Sequence, residues 1–219
     1  MTDMKDMENL RQTADCGDRD AQYELALAFL DGCGVARDEA EAAKWLLKVA
    51  AAEQQHPAGQ FLLGCCYASG SGVQLDEKEA VKWWRKAAER GFMKALFALG
   101  VCYREGVGVE QNEAESVKWF LLAAEKGFAM QQYNLALCYA NGWGVEQNYS
   151  EAVKWFRQAA EPKCVISSQC QYVAAAQYNL ALCYSNGWGV PHDESEAMKW
   201  FQKASEQARL EARRTLKML

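Results

Sequence analysis

Gly142-Trp143-Gly144-Val145 is one of five copies of a turn that sets the frame of a 219-residue chain. The others are Gly32-Cys33-Gly34-Val35, Gly70-Ser71-Gly72-Val73, Gly106-Val107-Gly108-Val109 and Gly187-Trp188-Gly189-Val190. Successive valines stand 38, 36, 36 and 45 residues apart. Ten residues after each comes a tryptophan (Trp45, Trp83, Trp119, Trp155, Trp200), and twelve before each a tyrosine or phenylalanine (Tyr23, Phe61, Phe97, Tyr133, Tyr178). A frame of this length is one supersecondary unit, which cannot bury its apolar face alone and must stack on its neighbours.

Upstream of the turn, Tyr133-Asn134-Leu135-Ala136-Leu137-Cys138-Tyr139 is apolar nearly all round, with neither period-two alternation nor proline. It predicts a helix packed on several sides. Only small residues (Ala26, Gly64, Gly100, Ala136, Ala181) occupy one position there, as a close helix crossing requires. The glycines then supply positive φ without steric cost and stop the helix.

Downstream, Asp or Asn stands three residues after each valine (Asp38, Asp76, Asn112, Asn148, Asp193), and Glu three residues later (Glu41, Glu79, Glu115, Glu151, Glu196). The first can cap a helix by accepting from an unpaired backbone N–H, and the Glu is expected to reach back to the N–H of the cap residue. The stripe Ala80, Trp83, Trp84, Ala87, Ala88 gives this second helix its buried face. Lys44, Lys82, Lys118, Lys154 and Lys199 follow the Glu by three residues and predict a solvated face with weak intrahelical pairing.

The expected organisation is an N-terminal capping helix (1–20), repeat one (21–57), repeat two (58–93), repeat three (94–129), repeat four with an insertion (130–174), repeat five (175–207) and a basic C-terminal capping helix (208–219) carrying Arg209, Arg213, Arg214 and Lys217. Insertions in such arrays map to loops and often to the functional face, and a neutral loop or helix extension is the alternative.

Composition narrows the function. Half the residues are hydrophobic and three are proline, which favours helix. The net charge of −5 is mild, and no lysine–arginine stripe is present, so nucleic-acid binding is not expected. The polar start lacks the basic-then-apolar pattern of a secretory signal. No unbroken apolar run approaches the ~18 residues of a membrane span. A cytoplasmic setting is therefore expected, with delivery as a secreted effector left open. Of nine cysteines, Cys66, Cys102, Cys138 and Cys183 share one repeat position. Stacked helices lie about 10 Å apart, beyond the ~7 Å a disulfide tolerates, so these four are expected as free buried thiols. The same spacing argues against a metal ladder. His56 and His192 have no Cys or His partner at ligand spacing, and the carboxylates are accounted for as caps. No catalytic residue, metal or cofactor is expected.

The Tyr-Asn-Leu-Ala-Leu-Cys-Tyr helix, the Asn-Gly-Trp-Gly-Val turn, the capping Asn, and the Glu-Ala-Val-Lys-Trp-Phe and Ala-Ala that follow resemble the Sel1-like repeat (SLR), a relative of the tetratricopeptide repeat. The resemblance runs from about residue 21 to 207. It implies an all-α, right-handed α-α superhelix (solenoid) of five helix-turn-helix repeats between half-repeat caps, with the first helices on the concave side. It also implies a scaffold or adaptor that binds protein or peptide. Cysteine-rich members bridge the two helices of a unit, and here the second helices carry no cysteine in the matching place. By that likeness, candidate partner-facing residues are Tyr23, Phe61, Phe97, Tyr133, Tyr178, Asn134 and Asn179. Helix-end residues Arg104, Glu105, Asn141 and Asn186 and the turn residues Trp143 and Trp188 follow. The five aromatics have packing between repeats as an equal alternative, and the turn tryptophans have stacking on a neighbouring turn. A monomer is expected, and self-association through the C-terminal helix is the competing architecture.

Overall fold

The computed structural model describes residues 4–51, 56–161 and 170–216. The described residues form helices α1 (Met4–Asp15), α2 (Arg19–Asp31), α3 (Glu39–Ala51), α4 (Pro57–Ser69), α5 (Glu77–Glu89), α6 (Met93–Glu105), α7 (Glu113–Ala124), α8 (Ala129–Asn141), α9 (Tyr149–Ala160), α10 (Cys170–Asn186) and α11 (Glu194–Leu216), with no strand. The expected all-α class holds. The helices fall into two compact units divided between Gln111 and Asn112, inside the turn of repeat three. In the first, α2 packs on α1 and α3, α4 on α3 and α5, and α6 on α5. In the second, α8 packs on α7 and α9, and α10 on α9 and α11.

In repeats two to five the glycine turn does two jobs. The first glycine ends the helix in the left-handed region, as at Gly70 with φ 74°, and its N–H bonds back to the carbonyl of Cys66. The second glycine lies against the backbone that opens the preceding repeat's second helix. A Cβ on Gly72 would fall 1.9 Å from the Glu39 carbonyl oxygen, and one on Gly144 2.2 Å from that of Glu113. The repeat is thus defined both by conformation and by close approach.

The five Asp and Asn caps form as expected. Each side chain accepts from the backbone N–H of the Glu three residues on, at 2.9–3.0 Å. In four of the five repeats the cap N–H that the reciprocal half of the predicted box needs is taken up elsewhere. The N–H groups of Asp38, Asp76, Asn148 and Asp193 instead donate to the carbonyls of Phe29, Tyr67, Tyr139 and Tyr184, which the first helix leaves unpaired at its end. The Glu side chains are therefore released, and each accepts from the lysine three residues on, the Lys44–Glu41 pair at 2.9 Å being typical.

Glutamines close the other helix ends, a feature that no sequence motif announces. Buried Gln22, Gln60, Gln132 and Gln177 donate through Nε2 to the carbonyls of Ala14, Ala50, Ala124 and Ala160, near the end of the preceding helix. Each stands directly before the repeat aromatic, and repeat three has Leu96 there. Gly64 supplies room of another kind: a Cβ there would lie 2.5 Å from Nε1 of Trp84, whose N–H donates to the Phe61 carbonyl at 3.1 Å.

Three helix limits bear on the repeat frame. The helix α2 begins at Arg19, capped by Asp18. Residues 170–174, expected with the insertion, open α10, which is 17 residues long against 13 for α8; residues 162–169 lie outside the described residues. Residues 208–216 are not a helix of their own. They continue α11, because neither glycine nor proline interrupts the chain between Glu194 and Leu216.

Candidate interaction surface

The repeat aromatics sit between helices. Tyr23 lies tilted against His56 at 4.7 Å between ring centroids, Phe61 lies 5.4 Å from Phe92, and Tyr133 contacts both Phe156 and Tyr172. These three and Phe97 are half-buried. Burial raises the phenol pKa of Tyr23, with Glu24 adding to it. Burial also raises that of Tyr133, partly offset by the amide of Asn179, which donates to its hydroxyl. Tyr178 differs: it meets Phe201 edge-on at 5.4 Å and stays 51% exposed.

Beyond these rings, each first helix leaves one row partly open at i, i+3 and i+7. In the second unit the rows are Asn134, Leu137, Asn141 and Asn179, Leu182, Asn186. Asn141, Asn179 and Asn186 donate to the carbonyls of Leu137, Ala175 and Leu182 on their own helices, which fixes their side-chain direction. Leu137 and Leu182 belong to this face and were not singled out in the sequence; the i+3 spacing from each asparagine was the available signal. In the first unit, Arg104 is half-buried and its Nε lies 2.7 Å from the exposed Glu105 carboxylate.

Trp143 and Trp188 are both exposed, at 46% and 44%. Trp188 stacks on Tyr149, the first residue of α9, at 5.5 Å and 24° between planes. At the matching place in the first unit, the Ser71 hydroxyl donates to Glu39 on α3 at 3.1 Å. Hydrogen bonds from Arg37 first, and then from Ser71, hold that carboxyl below its usual range. In these two turns the middle residue therefore meets the first residue of the preceding second helix, as a polar pair in one unit and an aromatic pair in the other.

The described residues assemble no catalytic pair around the histidines. Nδ1 of His56 accepts from the Gly59 N–H at 2.9 Å, which leaves the proton on Nε2, 3.5 Å from Asp20. The ring's lone pair is thus taken up in capping α4, although Cys16 lines the same surface hollow. His192 Nδ1 bonds the Ser185 carbonyl. Among the described residues no three His, Cys, Asp or Glu side chains are placed to hold a metal ion. Cys16, Cys33, Cys65, Cys66, Cys102, Cys138 and Cys183 are all unbridged. No described helix is long and apolar enough to cross a membrane.

A family model of the Sel1 repeat matches residues 19–54, 57–92, 94–128, 132–161 and 174–208. A Sel1 repeat protein from Oxalobacter formigenes is 32% identical, with TM-score 0.80 over 93% of this chain and 79% of that one. The protein c5321, a protective antigen present in uropathogenic Escherichia coli strains and displaying an SLR fold, is also 32% identical, with TM-score 0.68 over 92% of this chain. This chain spans about half of it, 48%. No curated protein matches significantly.

Proposed function

The chain belongs to the Sel1 repeat family, and from that premise we propose that it is a non-catalytic scaffold that binds a protein or peptide. The observation that carries this is the partly open row on each first helix, Asn134, Leu137, Asn141 and Asn179, Leu182, Asn186 in the second unit. Turn residues Trp143 and Trp188 lie directly beyond its Asn141 and Asn186 ends. The outer face of the second helices is given over to Lys–Glu pairs such as Lys118–Glu115, which are exposed and contribute little. In repeat arrays such first-helix rows make an extended binding surface. Asn134→Arg combined with Leu182→Arg places two cations on the row at positions that are not part of the core. Capture of partners, read by pull-down and mass spectrometry, should fall while the helical circular-dichroism signal stays. Unchanged capture would count against the face.

One observation favours a second reading, self-association. Ala43, Val81, Val117 and Val153 share one repeat position and are 2–6% exposed, whereas Met198 at that position in repeat five is 72% exposed. With Tyr178 and the exposed Arg209 and Arg213 it offers a surface for another copy. Light scattering of the wild type and of Met198→Lys separates the readings: a monomer in both at high concentration removes this one.

A further inference from the structure

We propose that the turn edge of the second unit, built on Trp143, Tyr149 and Trp188, receives a cationic peptide segment of a partner protein, its Arg or Lys side chains lying against the two tryptophans. This deepens the scaffold reading and rests on it.

Two independent observations lead here. The first is exposure with support. Trp143 and Trp188 are among the large apolar side chains most open to water, and Trp188 is backed by Tyr149 rather than buried by it. Tyr149 is itself held from behind, its hydroxyl accepting from Gln147 Nε2 at 3.0 Å, and Gln147 is anchored in turn on the Ala140 carbonyl at 2.8 Å. Both tryptophans follow a left-handed glycine cap, at Gly142 and Gly187, so the backbone that carries them is fixed. A ring held in one orientation with an open face binds at low entropic cost.

The second observation is charge. No lysine or arginine occurs from Gly127 to Val153, a stretch holding α8, its turn and the start of α9. None occurs from Cys170 to Met198, which holds α10, its turn and the start of α11. The same stretches carry Glu146, Glu151, Asp193, Glu194 and Glu196, and Glu113 joins them by accepting from the Gly144 N–H at 3.1 Å. Glu151 and Glu196 are met by Lys154 and Lys199. Glu146 and Glu194 are exposed beside the two turns. In the first unit the matching stretches contain Arg37, Lys78 and Arg104, and the middle residues are Cys33, Ser71 and Val107. A turn that pairs an exposed tryptophan with a first helix and turn free of lysine and arginine is therefore confined to the second unit.

Exposed indoles on turns that also carry the exposed Glu146 and Glu194 suit a guanidinium or ammonium group, which is drawn to the ring quadrupole and to nearby negative charge together. An anionic or wholly apolar segment would meet the carboxylates without compensation. Consecutive turns lie one repeat apart, about 10 Å, which an extended peptide covers in about three residues. The matching segment thus carries basic residues at i and i+3.

Fluorescence anisotropy tests this with the full chain and two labelled ten-residue synthetic peptides, one with arginine at i and i+3 in a Gly-Ser background and one with citrulline at both places. The arginine peptide should bind more tightly by about tenfold at low salt, and the gap should close as sodium chloride shortens the screening length. Trp143→Ala with Trp188→Ala should weaken it by about tenfold, on the scale of one or two cation–π contacts. Glu146→Gln with Glu194→Gln, which leaves both rings in place, should weaken it by about threefold. Equal binding of the two peptides, or binding indifferent to the tryptophan pair, overturns the assignment. A dimer that the tryptophan pair dissolves gives the edge to a second copy and also overturns it. Loss of partner capture in Asn134→Arg/Leu182→Arg with none in the tryptophan variant refutes the turn edge and leaves the scaffold reading standing.

Discussion

Gly70→Ala and Gly72→Ala change the same turn by the same methyl group, and their outcomes should differ sharply. Both glycines have positive φ, 74° and 71°, so either alanine incurs the left-handed strain, about 1–2 kcal/mol less some reduction in unfolded-chain entropy, for a net of about 1 kcal/mol. The surroundings separate them. At Gly70 the new Cβ meets the Leu75 Cβ at 3.5 Å, an ordinary contact. At Gly72 it falls 1.9 Å from the Glu39 carbonyl oxygen, 2.3 Å from its carbon and 2.8 Å from the Ala40 nitrogen. All three are backbone atoms at the start of α3, so no side chain can swing away. Either the turn or α3 must shift by roughly 1 Å or more, which adds overpacking strain of about 2–3 kcal/mol. Urea unfolding at equilibrium, with a slope of roughly 2–3 kcal/mol/M, should put the Gly72→Ala midpoint about 1 M below that of Gly70→Ala. Equal losses would refute the claim that the second glycine is fixed by close approach between repeats, and would leave backbone conformation as its sole reason.

The other expectations test the helix ends and the thiols. Gln177→Leu should change thermal stability by less than about 1 kcal/mol, because repeat three already holds Leu96 at this place and the exchange also removes the unpaired buried Oε1. Gln177→Ala should cost about 2–3 kcal/mol, because a cavity is added to the uncapped Ala160 carbonyl that both variants share; equal losses in the two variants would show that the cap, and not the filled volume, governs this place. Asn148→Ala should cost about 1 kcal/mol, checked by the urea midpoint; no change would mean that α9 does not depend on its cap. Burial pushes the Cys66, Cys102 and Cys183 thiols up to about 11. Their folded pKa lies above the unfolded one, so the stability they contribute is fully present below about pH 9 and drains away as pH rises towards about 11. The alanine triple variant should lose less stability over that window than the wild type, and parallel losses would refute this.

Helix type, repeat frame and caps were legible because each rests on local rules. A glycine pair has few conformations that follow a helix, and Asp or Asn three residues after the valine has a backbone N–H within reach whatever lies further off. The failures were non-local. The Glu of the capping box lost its target because the N–H of Asp38, for one, had already found the Phe29 carbonyl across the turn. Gln22, Gln60, Gln132 and Gln177 look like surface polar residues in sequence, and only the stacking of one helix end on the next puts them inside. Tyr178 repeats the identity of Tyr133 but not its burial. Tyr133 has Tyr172 and Asn179 against it, and Tyr178 has Phe201. Identical residues in a repeat thus share a rotamer environment only where both neighbours are present.

The turn's middle residue shows how a rigid frame can still carry individuality. Its flanking glycines are committed, one to the left-handed cap and one to contact with the preceding repeat. At Ser71 and Trp188 its own side chain meets the residue that opens the preceding second helix. That neighbour sits at the exposed start of a helix, where capping by Asp or Asn has already met the N-terminal requirement, so its identity is not needed for folding. The two positions can therefore change together at little cost in stability, as a Ser71–Glu39 hydrogen bond or a Trp188–Tyr149 stack. Chemistry that differs from repeat to repeat can collect at such places, because buried packing does not hold the residue type fixed there. The aromatic pair is therefore a surface feature with no structural task that the polar pair fails to perform, and its cost in exposed apolar area is balanced only when something covers it.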